Sequence, residues 1–250
     1  MFLAIDIGNT NITFGVFQKN SLVYKDKVLI NKSLSLEDYE ILFKNKLSMY
    51  KIKSCVIGSV VSELNIIIKK VCDNIFNIDS YIINRDSFID IKVDVKEPLL
   101  VGLDRIANAV IAKNKYTLPV IVIDIGTAIT FDIVSKEGNF IGGVIMPGIN
   151  TQLNSLYENT SALPKIEVIN PVKAIGDSTE NAMLSGVVLG TSAAIDGLTA
   201  KCEKELGVRA TLILTGGGCD FVLNHLIRAV DYVDKDLTLK GYKMLYDLNN

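Results

Sequence analysis

The chain has 250 residues, of which 49% are hydrophobic and 22% are charged, and its net charge is −2. This composition supports a buried core and excludes a disordered chain. It shows no excess of basic residues, so a nucleic-acid partner is not expected. Four scattered cysteines and a single histidine, His225, offer neither a disulfide framework nor a zinc site.

The start of the chain argues against a secreted or membrane protein. Asp6 falls where a signal peptide needs its apolar centre, and we find no run of about 18 uncharged apolar residues. We therefore expect a cytoplasmic protein that does not bind a membrane.

The first half of the chain reads as strands followed by alternating helices and strands. The expected elements are strands near 2–7, 12–17 and 21–29, a helix capped by Ser35 and running to about Tyr50, a buried strand over 55–61, a helix capped by Ser62 and running to about 75, an extended stretch over 81–95 and a helix over 102–116. Pro98 interrupts the chain before the last of these helices.

The second half restarts the same order. The expected elements are strands over 119–124, 128–135 and 139–146, a helix opened by Pro147-Gly148, a looser segment with Pro164 and Pro171, a long helix from Asp177 to about Leu206, a strand over 210–214, a helix from 218, a short strand near 231 and a C-terminal helix from about 238. Two similar α/β domains follow from this repetition, over 1–116 and 117–250.

An internal repeat supports that duplication. Ile5-Asp6-Ile7-Gly8 matches Ile123-Asp124-Ile125-Gly126, and each copy continues through a Thr to Ile-Thr-Phe. Each copy is typical of a hairpin that carries a carboxylate and backbone N–H groups at its tip. Two such tips facing each other across a cleft would bind a nucleotide's phosphates and metal ion. The alternative is two unrelated strands that end in a common Asp-x-Gly turn.

Other short motifs admit two interpretations each. Thr215-Gly216-Gly217-Gly218 could pass under an adenine ring or a phosphate, or could form a tight strand-to-helix turn. Gly102-Leu103-Asp104-Arg105 could place a carboxylate and an anion-binding guanidinium at a helix start, or could be ordinary first-turn polarity. Neither a P-loop nor a Gly-x-Gly-x-x-Gly dinucleotide loop is present.

Taken together and in order, seven motifs resemble the type III pantothenate kinases, a family of the acetate kinase/sugar kinase/Hsp70/actin superfamily. The motifs are Asp6-x-Gly8-Asn9-Thr10-Asn11, Gly102-x-Asp104-Arg105-x-x-Asn108, Asp124-x-Gly126-Thr127-Ala128-x-Thr130-x-Asp132, Gly142-Gly143-x-Ile145-x-Pro147-Gly148, Leu163-Pro164, Gly176-x-x-Thr179 and Ile195-Asp196-Gly197. The resemblance implies an α/β fold of two duplicated ribonuclease-H-like domains with a cleft between them.

The resemblance also implies an activity, the ATP-dependent phosphorylation of pantothenate to 4′-phosphopantothenate, which is the first step of coenzyme A biosynthesis. By the same analogy Asp104 receives the proton of the pantothenate hydroxyl, and Asp124 binds a monovalent cation, K⁺ or NH₄⁺, beside the Mg²⁺ that accompanies ATP. The implied ATP residues are Asp6, Gly8, Asn9, Thr10, Asn11, Thr13 and Thr127. The implied pantothenate residues are Val95, Gly102, Leu103, Asp104, Arg105 and Thr179.

The sequence departs from the family on the substrate side. Val95 stands where the family usually has a Tyr that lines the pantothenate pocket, and Leu103 replaces the usual Ala. These changes motivate a second hypothesis, a catalytically weak homologue that regulates or binds a partner. A third is a phosphohydrolase of the same superfamily, which would need a carboxylate that activates water.

The long helix predicts an oligomer. It carries a band of small residues, Ser185, Gly186, Gly190, Ser192, Ala193, Ala194 and Gly197, which would let two helix backbones approach closely. Packing within its own domain explains the band equally well, but the resemblance implies a homodimer. Asp177 and Thr179 would then reach the partner's substrate pocket.

Overall fold

The structure is a computed structural model that describes residues 1–171 and 173–250. The chain forms two compact units, each built around a five-stranded mixed sheet. The first unit contains residues 1–90, 96–111 and 237–250, and the second contains 91–95 and 112–236. The division into domains over 1–116 and 117–250 stays a prediction. The compact units differ from it in three segments, since 237–250 groups with the first unit and both 91–95 and 112–116 group with the second.

The first sheet has the order β3-β2-β1-β4-β5. Its strands are β1 (Phe2–Ile7), β2 (Asn11–Gln18), β3 (Ser21–Leu29), β4 (Ser54–Ser59) and β5 (Tyr81–Ile82). The first three strands are antiparallel neighbours, whereas β4 runs parallel to β1 and β5 parallel to β4.

The second sheet has the equivalent order, β8-β7-β6-β9-β10. Its strands are β6 (Val120–Ile125), β7 (Ala128–Val134), β8 (Phe140–Pro147), β9 (Thr211–Thr215) and β10 (Tyr232–Val233). Again β6, β7 and β8 pair antiparallel, and β9 and β10 continue in parallel. The predicted duplication of an α/β unit is therefore confirmed at the level of strand order and direction.

Helices connect the strands of both units. They are α1 (Leu36–Leu47), α2 (Ser62–Phe76), α3 (Leu103–Lys115), α4 (Ile149–Glu158), α5 (Thr179–Leu184), α6 (Gly190–Leu206), α7 (Cys219–Val222) and α8 (Leu237–Asn249). Ser35 caps α1 as predicted, through a reciprocal pair of hydrogen bonds with Asp38. The prediction for Ser62 is wrong, because Val61 occupies the cap position of α2 and Ser62 is the first helical residue.

Alternation along β1 decides what each of its side chains contacts. Leu3, Ile5 and Ile7 are fully buried in the core that includes the α1 residues Tyr39 and Phe43. Successive side chains of a strand point to opposite faces, so Ala4 and Asp6 lie on the other face. The C-terminal helix α8 packs against β1 and β4.

The long helix of the second unit is continuous from Thr179 to Leu206 but contains a π-helical turn at Ser185–Leu189. Its buried residues include Val188 and Ile195, which join the core beneath β6. Among the described residues this is one helix long and apolar enough to cross a membrane by length and composition, and 44% of its most apolar window is buried. Core helices of globular proteins meet the same criteria.

Candidate active site

The first hairpin tip follows Asp6. This residue lies opposite Thr13 of β2 and opposite Gly58 of β4, and it is half-buried. The Gly8 N–H donates to the Asn11 carbonyl at 3.0 Å, which closes the turn. Asn9 and Thr10 are exposed at the tip.

The second tip repeats this arrangement at Asp124. This residue lies opposite Thr130 of β7 and Thr215 of β9, and is also half-buried. The Gly126 N–H donates to the Ala128 carbonyl at 3.0 Å, and Thr127 is exposed. In both tips the glycine N–H is thus engaged within the turn. Donors for a phosphate would have to come from the residues that follow each glycine.

Gly148 explains why the second tip holds its shape. The Gly148 N–H donates to the Thr127 carbonyl at 2.9 Å, and the Thr151 hydroxyl donates to the same oxygen at 2.7 Å. A methyl group on Gly148 would overlap the backbone of Gly126 and Thr127. The last glycine of the Gly142–Gly148 motif is therefore required by a close approach of two backbones.

The glycine turn after β9 packs against the end of β6. Gly216 has a φ of +89°, and a methyl group there would overlap the Asp124 carboxylate and the Ile125 backbone. The Gly218 N–H donates to the Ile125 carbonyl at 2.9 Å. Gly217 is different, because a methyl group there would meet no atom within 4 Å. Tight packing explains why Gly216 and Gly218 are glycines. It does not explain Gly217, which has open space beside it.

Cys219 follows this turn and is buried. Burial, together with the nearby Asp124 carboxylate, raises the pKa of the Cys219 thiol to about 12. The Sγ atom donates to the Thr215 carbonyl at 3.0 Å. The protonated thiol is a structural group and not a nucleophile at neutral pH.

Asp104 lies in the first turn of α3, where the helix dipole stabilises a negative charge. Its Oδ1 accepts the Arg105 N–H at 2.8 Å. A methyl group on Gly102 would overlap this oxygen. The Arg85 guanidinium donates to the Val101 carbonyl at 2.9 Å, which fixes the chain just before the helix. Arg85 has no place in the predicted site, and no sequence signal connects it to Val101.

Asn108 belongs to the same motif, but its side chain is buried and bonds to a neighbouring helix. It is 1% exposed, and its Oδ1 accepts the Thr238 hydroxyl of α8 at 2.9 Å. One turn away, Gly241 of α8 lies so close to Ala107 that a methyl group would overlap the Ala107 carbonyl. Helix α3 is thus seated on α8.

Val95 belongs to the second unit, whereas Gly102, Leu103, Asp104 and Arg105 belong to the first. The segment before Val95 runs beside β8, because the Asp94 N–H donates to the Phe140 carbonyl at 2.8 Å. A methyl group on Gly142 would lie 3.7 Å from the Val95 side chain. Val95 is therefore held against the Gly142–Gly148 strand.

Thr179 is exposed at the start of α5. The Ser178 side chain caps this helix by accepting the Asn181 N–H, and Asp177 accepts from the Asn181 amide at 2.8 Å. A cavity of about 490 Å³ lies further along the same helix, between α4 and the π-helical turn; its lining includes Thr151, Gln152, Leu156, Met183 and Val187. The sequence does not reveal this cavity, because it depends on how two distant helices pack.

Tyr242 makes a polar contact with Asp6 that the sequence does not reveal. Its hydroxyl donates to Asp6 Oδ1 at 3.2 Å, and its side chain is fully buried. In the sequence Tyr242 looks like one more apolar position of an amphipathic helix.

The carboxylates at the hairpin tips suit a hard cation whose other ligands come mainly from a bound nucleotide and water. Among residues 1–171 and 173–250 no group of three or more His, Cys, Asp or Glu side chains could hold a metal. Mg²⁺ in nucleotide sites commonly takes one or two carboxylates and completes its shell with phosphates and water. Each unit has one half-buried carboxylate at its hairpin tip that could serve as such an oxygen ligand, Asp6 in the first and Asp124 in the second.

Comparisons with known proteins agree with the sequence motifs. The model of the family "Type III pantothenate kinase" matches residues 2–201. A type III pantothenate kinase of Finegoldia magna is 36% identical over 256 residues, with 100% of this chain and 98% of the relative covered.

Two solved structures resemble the whole chain. A Campylobacter jejuni structure, assigned to the Baf family of transcriptional activators, gives a TM-score of 0.60 at 23% identity and covers 98% of this chain and 97% of its own. MreB5 of Spiroplasma citri bound to ADP gives 0.55 at 13% identity, covering 98% and 96%. At these identities the likenesses show the fold alone, and they agree with the predicted superfamily fold.

Proposed function

Since this chain belongs to the type III pantothenate kinase family, it is a kinase that phosphorylates pantothenate in coenzyme A biosynthesis, and we propose how its residues divide that work. The observation that carries the proposal is the pair of matching hairpin tips, in which Asp6 and Asp124 occupy the same register position of two equivalent sheets. The resemblance to the family implies that such tips bind the phosphates of ATP.

We propose that the first tip and Thr127 bind the phosphates of ATP. The residues concerned are Asp6, Asn9, Thr10, Asn11, Thr13 and Thr127, and Gly8 shapes the turn through the bond from its N–H to the Asn11 carbonyl. Asn9, Thr10 and Thr127 support this role because they are exposed and carry short polar side chains. Asp6 would orient the Mg²⁺ that accompanies ATP, and Asp124 would bind a monovalent cation, K⁺ or NH₄⁺. These cations would neutralise charge on the transferred phosphoryl group.

We propose that Asp104 orients the pantothenate hydroxyl and accepts its proton. A phosphoryl-transfer transition state needs the nucleophile to be positioned more than deprotonated beforehand. The Arg105 N–H and the bare Cα of Gly102 hold the carboxylate in one place, which suits that task. Gly102, Leu103, Arg105, Val95 and Thr179 complete the proposed pantothenate contacts.

The homodimer is also a proposal. Between residues 182 and 200 every exposed residue of the long helix is small: Ala182, Gly186, Gly190, Ala193, Gly197 and Ala200. A methyl group on Gly186, Gly190 or Gly197 would meet no atom within 4 Å, so this face is open. The predicted band divides here, since Ser185 and Ser192 are buried within their own unit. A second copy of the helix would fit the open face.

We also propose that this metabolic kinase acts in the cytoplasm.

A coupled assay of ADP release tests the function, with and without pantothenate, in potassium and in sodium buffers. The proposal expects release that depends on pantothenate and is faster in potassium. Release without pantothenate would identify a phosphohydrolase, and no release would leave the regulatory hypothesis. That hypothesis draws no support from the relative of Finegoldia magna, which is named as a kinase.

A further inference from the structure

The C-terminal helix α8 reaches the strand end that carries Asp6. Tyr242 lies 236 positions from Asp6 in the chain, yet its hydroxyl donates to Asp6 Oδ1 at 3.2 Å. The family model matches residues 2–201, and the match to the relative of Finegoldia magna extends over the whole chain, this helix included. Both residues belong to the first compact unit.

The sheet makes room for the Tyr242 ring at one position. Gly58 of β4 is the register partner of Asp6, so the two residues share a face of the sheet. A methyl group on Gly58 would overlap the Tyr242 ring. The missing side chain at Gly58 is what allows the ring to lie against β4 and its hydroxyl to reach Asp6.

Helix α8 is itself held at several points, so the hydroxyl cannot drift. Thr238 donates to Asn108 at 2.9 Å, and Gly241 packs on Ala107. At the other end the Asn249 side chain forms two hydrogen bonds with the Phe88 backbone, at 2.8 and 2.9 Å. Asn108 and Ala107 lie on α3. Helix α8 therefore positions Tyr242 and also packs against α3, whose first turn contains Asp104.

In the second unit, different groups lie beside the equivalent carboxylate, that of Asp124. Asp124 has Thr215 as its partner on β9, and the backbone of Gly216 approaches its carboxylate. In the second unit it is thus the backbone of the glycine turn that approaches the strand-end carboxylate.

We propose that Tyr242 is a positioning residue for Asp6: its hydroxyl fixes the orientation in which the Asp6 carboxylate receives the Mg²⁺ of ATP. This inference rests on the proposed role of Asp6. An ionised carboxylate can only accept hydrogen bonds, and a buried phenol needs an acceptor. The pair satisfies both groups and prevents rotation of the carboxylate before the nucleotide arrives, which lowers the cost of organising the site on binding.

The test uses Tyr242→Phe, which keeps the ring and removes the hydroxyl, with Tyr246→Phe as a matched control. Tyr246 lies one turn further along α8, where its ring contacts Phe2 and Tyr81. Calorimetry measures the affinity for AMPPNP, a non-hydrolysable ATP analogue, with and without MgCl₂. We expect Tyr242→Phe to weaken binding of the magnesium complex by about 10- to 100-fold, the range for a hydrogen bond to a charged group. Binding of metal-free AMPPNP and all binding by Tyr246→Phe should stay within about twofold of wild type.

The double variant Asp6→Asn/Tyr242→Phe separates positioning from general stability. If Tyr242 acts through Asp6, the double variant binds the magnesium complex as weakly as Asp6→Asn alone; losses that multiply would overturn the inference. Wild-type affinity in Tyr242→Phe, beside a loss in Asp6→Asn, would refute the inference and leave the proposed function standing. Wild-type affinity in Asp6→Asn would refute the proposed role of Asp6 and the inference with it.

A second measurement does not require removal of the hydroxyl. 3-Fluorotyrosine placed at position 242 reports on the bond through its ¹⁹F resonance, which should shift when MgCl₂ and AMPPNP are added. The shift should be absent in Asp6→Asn. An unchanged resonance in the wild-type background would overturn the inference even if Tyr242→Phe failed to fold.

Discussion

Gly102 and Asp104 are matched in shape: the carboxylate Oδ1 of Asp104 occupies the space that a side chain on Gly102 would take. The same oxygen accepts the Arg105 N–H at 2.8 Å. The glycine of the Gly-x-Asp-Arg motif is therefore needed for the position of the carboxylate two residues later, rather than for a special backbone conformation.

Gly102→Ala should move the Asp104 carboxylate while leaving helix α3 intact, because a side-chain end can shift more easily than a backbone. We expect kcat to fall by roughly tenfold or more, the order of loss that small misplacements of a reacting group can cause. Steady-state kinetics and circular dichroism check both halves of the expectation. Unchanged kcat with a folded protein would show that the position of Asp104 is not critical.

Asp104→Asn should lower kcat by about 10²- to 10⁴-fold, the contribution typical of a general base. ATP-site binding should persist, since the change leaves the hairpin tips untouched. Asp38→Asn is the matched control, because Asp38 also lies in the first turn of a helix and accepts a backbone N–H there. The control should lose some stability and keep its turnover. If Asp104→Asn kept more than half the wild-type rate, Asp104 would be a cap and not a catalyst.

Val95→Tyr should lower the Michaelis constant for pantothenate, because it restores the aromatic wall and hydroxyl of the family's usual Tyr. The Michaelis constant for ATP should not change. Val23→Tyr serves as the control, since Val23 is 45% exposed on β3. Tight pantothenate binding by the wild type, or no gain in the variant, would mean that another side chain has taken over this role.

Gly190→Leu should weaken or abolish the dimer, since a bulky residue on a two-fold axis face is introduced twice. Light scattering of the wild type should give about twice the 27.4 kDa of one chain. Lys70→Leu adds a similar apolar residue to an exposed position of α2 and should leave the mass unchanged. A wild-type mass near that of one chain would refute the dimer outright.

Tyr116 should titrate later than an ordinary tyrosine. Burial, followed by the Asp234 carboxylate, raises the pKa of Tyr116 from 10.0 to about 12. The unfolded chain would lose this proton near pH 10, so the stabilisation is complete below pH 10 and is lost as the pH rises towards 12. The free energy of unfolding should therefore fall less steeply over this range in Tyr116→Phe than in wild type. Equal slopes would contradict the raised pKa.

The sequence by itself determined the duplicated strand order. Alternating and continuous apolar runs are local signals, and the repeat around Asp6 and Asp124 placed two equivalent hairpins correctly, with β1 and β6 close to their predicted bounds. The helix cap at Ser35 was also predictable, because its hydroxyl and Asp38 satisfy backbone groups only three residues apart.

Only the tertiary structure decided which distant residues complete each site. The close backbone approach of Gly148 to Thr127, the space that Gly58 leaves for the Tyr242 ring and the return of α8 to the first unit all depend on packing between segments remote in the chain. Hydrophobic periodicity marks Tyr242 as buried but does not say what its hydroxyl meets. That partner is set by the sheet register, which brings Asp6 and Gly58 side by side beneath the C-terminal helix.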